Sequence, residues 1–149
     1  MVTIHMLVGI PASGKTTYAK KLAGQLNIPI LSSDEVRNQN PNASEDQIWP
    51  LIYKTSIDYV KKGQDFIYDA TNITPKARLR YKEKLLAEVT DFQIGTYFFD
   101  VDPKICYNRA IERNKDPNER FIPPEVILSY GQNVIAPKED EGFIFRKVI

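Results

Sequence analysis

The stretch Leu7-Val8-Gly9-Ile10-Pro11-Ala12-Ser13-Gly14-Lys15-Thr16-Thr17-Tyr18-Ala19 decides the fold. Gly9, Gly14, Lys15 and Thr16 fit the spacing GxxxxGK[ST] of a phosphate-binding loop, a pattern that needs a strand before it and a helix after it. Thr3 to Val8 is a short run rich in apolar and β-branched residues, as a buried strand requires. Tyr18, Ala19, Leu22, Ala23 and Leu26 recur at the spacing of a helix face. Backbone N–H groups of such a loop, together with the positive end of the helix dipole, surround an anion. Lys15 adds a mobile positive charge, and the Thr16 hydroxyl is the group that faces Mg²⁺. The loop residues Gly9, Pro11, Ala12, Ser13, Gly14, Lys15, Thr16 and Thr17 are therefore the candidate contacts to nucleotide phosphates.

Downstream, short apolar strands alternate with helical patterns, which predicts an α/β protein: a parallel sheet with helices on both faces. Pro29-Ile30-Leu31 reads as the next strand, and the polar cluster Ser32, Ser33, Asp34, Glu35 and Arg37 follows at its carboxyl end, where parallel sheets place their ligands. Asp34 and Arg37 stand three apart and share a helix face. A carboxylate there suits proton abstraction from a substrate hydroxyl, and a guanidinium suits two-point binding of a phosphate. Ser32 and Glu35 also fit a capping box, a structural reading that leaves Arg37 unexplained. Asn38 to Ala43 reads as a loop before a helix that reaches about Lys62, with Ile48, Ile52, Tyr59 and Val60 inward. Pro50 either starts that helix or kinks it. Trp49 beside it is expected to be a packing anchor rather than a stacking platform for a base.

Gly63 suits a helix end, and Phe66-Ile67-Tyr68 a buried strand closed by Asp69, a candidate metal group at the strand end. Thr74-Pro75 and Asp102-Pro103 each carry an N-cap and first-turn signature. In the helix after Pro75, the basic residues Lys76, Arg78, Arg80, Lys82 and Lys84 scatter around the axis, because alternate positions step about 200°. They read as solvated surface, with Arg78 singled out because it lies nearest the crevice. Phe92 to Asp100 is a further strand, and the helix from Pro103 to about Asn114 places Arg109 and Arg113 four apart on one face. The polar segment Lys115 to Ile122, with Arg120, has the composition of a lid. A short helix from Pro124 to about Tyr130 and a last strand within Phe143 to Ile149 complete the chain.

Composition narrows the class. The 149 residues suffice for one sizeable core, and 20 Lys and Arg against 19 Asp and Glu, a formal net charge of +1, argue against a protein that coats nucleic acid. Cys106 is the only cysteine, so no intrachain disulfide forms and a cytoplasmic setting is expected. No signal-peptide pattern or membrane-length apolar segment is visible. A guanine-reading Asn-Lys-x-Asp is absent, since Asn114-Lys115-Asp116 is followed by Pro117. Asp69 is followed by Ala70 rather than by the glutamate of a water-activating motor ATPase. Asp100-Val101-Asp102 fails as an aspartyl-phosphatase start because Pro103 and Lys104 follow it.

The set Gly9 to Thr17, Ser33-Asp34-Glu35-Val36-Arg37, Asp69-Ala70-Thr71-Asn72 and Arg109-Ala110-Ile111-Glu112-Arg113 resembles the kinase domain of the phage polynucleotide 5'-hydroxyl kinases and related P-loop small kinases of zeta-toxin-like and AAA type. The resemblance runs from Ile4 to about Pro137. It implies a P-loop NTPase fold in a single kinase domain over residues 1–149, with an arginine-bearing lid around 113–122. It also implies transfer of a phosphoryl group from ATP, with Mg²⁺, to a hydroxyl. Lys15 and Thr16 would hold the donor phosphates and metal, and Asp69 would support the metal or the loop. Asp34 would be the general base, Arg37 would bind the phosphate beside the acceptor hydroxyl, and Arg113, with Arg109, would reach the donor phosphates from the lid. A nucleic-acid 5'-end is the favoured acceptor, and relatives that phosphorylate nucleosides or sugars are the alternative. A non-catalytic ATP-binding switch is the rival from another class. Oligomeric state is left open.

Overall fold

A computed structural model describes all 149 residues. Five parallel strands, β1 (Val2–Val8), β2 (Ile30–Ser32), β3 (Phe66–Asp69), β4 (Phe92–Phe98) and β5 (Arg146–Val148), form one sheet in the order β2-β3-β1-β4-β5. Helices α1 (Lys15–Leu26), α2 (Ser33–Gln39), α3 (Glu45–Lys61), α4 (Pro75–Leu86), α5 (Pro103–Asn114) and α6 (Pro124–Asn133) join or flank them. The expected α/β layout with helices on both faces is what the chain adopts.

The period of two in β1 produces the layers. Ile4, Met6 and Val8 enter one core with Phe66, Tyr68 and Ile94, covered by Ile48, Ile52, Ile57 and Val60 of α3 and Tyr81 and Leu85 of α4. The intervening Leu7 enters the opposite core with Ile67, Tyr97 and Phe99, covered by Ala19 and Leu22 of α1. Ile4, Met6, Leu7, Phe66, Ile67 and Leu85 are fully buried, each worth about 1.5–3 kcal/mol relative to exposure. Tyr68 stacks on Tyr81 with ring centroids 4.2 Å apart, and the Tyr81 hydroxyl donates to Ser56 Oγ at 2.7 Å, so a buried phenol is satisfied where no water reaches.

Local signatures set most helix ends. Thr74 Oγ1 accepts from the Ala77 N–H at 3.1 Å, and Asp102 Oδ1 accepts from the Lys104 N–H at 2.8 Å, each followed by proline at the first helical position. Gly63 has φ 70°; its N–H donates to Val60 O, and the Gln64 N–H reaches back to Tyr59 O. Those paired bonds form a Schellman motif, which requires a left-handed residue where only glycine avoids a Cβ penalty. Pro50 does not start its helix: α3 begins at Glu45, where the Gln47 side chain accepts from the Ser44 N–H at 2.9 Å, and runs through the proline. No helix is long and apolar enough to cross a membrane.

Arg78 departs from the sequence expectation. It is 1% exposed and lies away from the crevice. Its Nε and Nη2 bind the two carboxylate oxygens of Glu141 at 2.8 and 3.0 Å, and its Nη1 donates to Asn72 O and Ile135 O at 2.8 and 2.9 Å. Glu141 sits in a 3-10 turn (Glu139–Glu141) just before the last strand, so Arg78 pins the C-terminal segment to α4 and to the loop after β3. Of the other basic residues of α4, Lys76, Arg80 and Lys84 are exposed as expected, and Lys82 is half-buried.

Candidate active site

Parallel strands end together, and the loops beyond β1, β2 and β3 open into one cleft of about 1380 Å³. Its floor is the phosphate loop. Ala12 and Gly14 adopt positive φ (65° and 97°), and no side chain caps α1, whose first N–H groups therefore face the cleft. Gly9 must be glycine for packing: a Cβ there would lie 2.8 Å from Ser13 Oγ and 3.0 Å from Phe99 Cβ. The loop is also tied from behind, because the Gly9 N–H donates to Thr71 O at 2.9 Å and Asn72 Nδ2 donates to Leu7 O at 2.9 Å. Asn72, held at φ 48°, had no visible role in the sequence beyond its place in the Asp69-Ala70-Thr71-Asn72 set.

Lys15 is buried, with its Nζ donating to Ile10 O at 2.9 Å. Burial pulls its pKa down to about 8, with partial compensation from Asp69 and Asp34. Asp69 is buried too; it pairs in register with Leu7 and accepts from the Thr16 hydroxyl at 3.1 Å. Burial pushes its carboxyl up despite Lys15 and Thr16. Each group is short of opposite charge: an anion beside Lys15 and a cation beside Asp69 would relieve both. Ser13 Oγ, buried at the same place, has no protein partner. Phosphates and a hard, oxygen-seeking cation therefore fit this donor set, with Thr16 Oγ1 and Asp69 as the oxygen ligands.

The other wall begins at β2. Ser32 Oγ accepts from the Glu35 N–H at 3.2 Å, so α2 is capped, while Glu35 accepts from Gln39 instead of returning to the cap. Half of the capping box is present, and Asp34 is left to face the cleft. Arg37 Nη1 donates to Asp34 Oδ1 at 2.9 Å and to Ser33 Oγ at 3.4 Å. The rest of the guanidinium meets Glu45, with Nε at 3.0 and 3.2 Å from its two oxygens and Nη2 at 2.9 Å. Those bonds hold the Glu45 carboxyl below the usual range. Arg37 also lies 5.6 Å from the centroid of the Trp49 ring. Trp49 packs against the core and lines the cleft as well. Glu45 was missed in the sequence because its partner lies eight residues away across a loop.

From the third side come α5 and the segment after it. Arg109 Nη1 donates to Ala12 O at 3.2 Å, fastening the helix to the phosphate loop. Arg113 lines the cleft and pairs with Glu119 at 3.3 Å. Arg120, in the segment named as a lid, reaches across to Asp34 Oδ1. Asn114 clamps the end of that segment at one residue, donating to Ile122 O at 2.7 Å and accepting from the Ile122 N–H at 2.9 Å. The structure thus brings Lys15, Thr16, Asp34, Arg37, Asp69, Arg109 and Arg113 around one cleft and adds Glu45 and Arg120 to them.

These features define a P-loop NTPase with a kinase-like fold. A model of the AAA_33 family, an AAA domain, matches residues 4–137, and the chain belongs to that family, in keeping with the P-loop kinase resemblance read from its motifs. Among solved structures it is similar to a chain of the Pnkp1/Rnl/Hen1 RNA repair complex, at 22% identity and a TM-score of 0.76, over 89% of this chain and 43% of that one. It is also similar to a sugar kinase from Janibacter sp. HTCC2649, at 16% identity and a TM-score of 0.71, over 99% of this chain and 86% of that one. A gluconokinase from Sinorhizobium meliloti 1021 matches at 12% identity and a TM-score of 0.64, over 97% and 81% of the two chains. At such identities the likeness is one of fold. This chain spans less than half of the repair-complex chain, 43%. No curated protein matches it.

Proposed function

We propose that the chain is an ATP-dependent phosphotransferase that moves the γ-phosphoryl group to a hydroxyl acceptor. The observation that carries this reading is the placement of the Asp34 carboxylate, flanked by Arg37 and Arg120, in the same cleft as the phosphate loop. Lys15, Ser13 and the N–H groups of α1 bind the donor phosphates, and Arg109 and Arg113 approach them from α5. Thr16 and Asp69 would hold Mg²⁺, which would supply positive charge to offset the donor's phosphates. Asp34 takes the proton of the acceptor hydroxyl as its oxygen bonds to the γ-phosphorus and the bridging bond to ADP breaks. Ala70 follows Asp69 where a motor ATPase carries the glutamate that orients a water, which favours transfer over hydrolysis.

Two acceptor classes are compatible with this chemistry. A nucleic-acid 5'-hydroxyl is supported by the motif set and by the fold likeness to the RNA repair complex chain. A small hydroxyl compound, such as a nucleoside or sugar, is favoured by one observation: Glu45 already occupies the fork of Arg37 that would grip a phosphate beside the hydroxyl. Incubation with labelled ATP and Mg²⁺, against 5'-hydroxyl oligonucleotides and a panel of nucleosides and sugars, tests both. Label in at least one acceptor is expected. Tight ATP binding with every acceptor unlabelled would move the assignment to a nucleotide-dependent switch.

A further inference from the structure

Arg37 has five N–H groups, and four are spent: Nε and one Nη2 hydrogen on Glu45, both Nη1 hydrogens on Asp34 and Ser33. Its central carbon lies over the Trp49 ring, 5.6 Å from the centroid. A guanidinium so engaged has no free edge for a second two-point contact, and two-point contact is how arginine distinguishes a phosphate or carboxylate from other oxygens. Glu45 is itself a carboxylate in that two-point geometry. It stands at the first position of α3, where the helix dipole favours a negative charge, and its side chain is 62% exposed, so an incoming anion can reach the same edge.

Charge around the acceptor end points the same way. Asp34 and Glu45 contribute two negative charges, Arg37 and Arg120 two positive ones, and the four are linked in one chain of contacts from Arg120 through Asp34 and Arg37 to Glu45. The acceptor wall is therefore balanced before any acceptor enters. An anionic acceptor must expel Glu45 and leave its carboxylate unpaired, whereas an uncharged one leaves the network whole.

We infer that Glu45 is the specificity-determining residue of the acceptor end: it sits on Arg37 as an internal stand-in for phosphate and selects an uncharged hydroxyl-bearing group over a hydroxyl flanked by a phosphate. This deepens the phosphotransferase reading above and rests on it. Arg37 becomes a positioning residue that orients Asp34, and removing the Glu45 charge frees it to bind phosphate.

Trp49 is the single tryptophan and adjoins Arg37, so its fluorescence reports binding at this wall without any turnover. With the phosphate loop saturated by a non-hydrolysable ATP analogue and Mg²⁺, thymidine and thymidine 3'-monophosphate are titrated into the wild type, Glu45→Gln and the double variant Glu45→Gln/Arg37→Ala. The amide keeps the shape of the carboxylate at an exposed position, and circular dichroism checks the fold. Glu45→Gln is expected to bind the 3'-monophosphate about tenfold or more tighter than the wild type does, to bind thymidine within about twofold of the wild type, and to lose the gain when Arg37 is also removed. A gain of less than about threefold, or a wild type that already prefers the 3'-monophosphate tenfold, overturns the inference. The transfer assay above is run in parallel. Absent transfer with the binding gain intact would strike the phosphotransferase reading and leave Glu45 as an anion selector; transfer with no binding gain would strike the role of Glu45 alone.

Discussion

In the donor half of the cleft Ser13, Lys15 and Asp69 are buried, and the phosphate loop is laced to the segment after β3 and to α5 by the Gly9 N–H and by Asn72 and Arg109. In the acceptor half Asp34, Glu45 and Arg120 have side chains that are 57%, 62% and 47% exposed and are held by ion pairs alone. Burial gives the donor half shifted pKa values and charges short of partners, a site that waits for a fixed ligand. Exposure gives the acceptor half contacts that are cheaper to exchange: a single-point pair such as Arg120–Asp34 is worth about 0–1 kcal/mol, and the two-point Arg37–Glu45 pair is the strongest of them. The difference matches a fixed nucleotide and an exchangeable acceptor, and it predicts that substitutions on the two sides will fail in different ways.

The largest effect belongs to a residue whose loss leaves the fold alone. Asp34→Asn keeps the shape of an exposed side chain, so thermal stability and ATP affinity should stay near wild type while transfer falls about 10²- to 10⁴-fold, read as initial rates with labelled ATP. A fall in ATP affinity of similar size would mean that Asp34 belongs to the donor half, and the division would collapse.

Arg78→Met comes next and acts on neither half directly. It takes the guanidinium from the Glu141 carboxylate, which keeps only the Lys138 N–H, and from two carbonyls, Asn72 O and Ile135 O, and losing one partner of a buried pair costs about 3–5 kcal/mol. Urea unfolding should show that loss. Because Asn72 also braces the phosphate loop, ATP affinity should weaken more than acceptor affinity, which links the C-terminal segment to the donor half specifically.

Features decided by neighbours in the chain were legible in the sequence. The phosphate loop, the Thr74-Pro75 and Asp102-Pro103 starts, and Gly63 at its helix end each follow from one or two residues whose backbone preference or side-chain oxygen acts within a turn. The alternation of strands and helices followed from hydrophobic period. Pairings across the fold were not legible. Arg78 sits among scattered surface cations and is distinguished only by Glu141, 63 residues away. Arg37 pointed to a substrate phosphate because its neighbour Asp34 was visible and its other partner, Glu45, beyond the loop, was not. Nothing local marks an arginine as already satisfied, because its five donors can be met from anywhere the chain folds back. For the same reason Pro50 left a helix start and a kink both open: the capping contact at Ser44 that begins the helix earlier depends on Gln47, a residue with no strong preference of its own.

A smaller effect separates the halves by packing. Gly9→Ala places a methyl 2.8 Å from Ser13 Oγ and 3.0 Å from Phe99 Cβ, and overpacking of this kind costs about 1–3 kcal/mol. The displaced group, Ser13, lies in the phosphate loop, so the variant should lose both melting temperature and ATP affinity and should keep its ranking of acceptors.

Arg120→Ala should show the smallest effect on stability. Its partner Asp34 is more than half exposed and keeps Arg37 as a second cation, so removing Arg120 strands no buried charge. A single exposed pair contributes no more than about 1 kcal/mol, and the unfolding midpoint should stay within that margin of wild type. The contact nonetheless crosses from the segment after α5 to the acceptor wall, and it lies on the carboxylate that receives the acceptor's proton in the proposed transfer. The guanidinium competes there with an incoming acceptor hydroxyl. Loss of Arg120 should therefore lower the acceptor KM by up to about fivefold at low ionic strength, with a diminishing effect as salt screens the pair in the wild type. ATP affinity should be untouched. If the variant instead loses ATP affinity and leaves the acceptor KM unchanged, Arg120 acts on the donor phosphates, and its place beside Asp34 is a resting position rather than the one it holds during transfer.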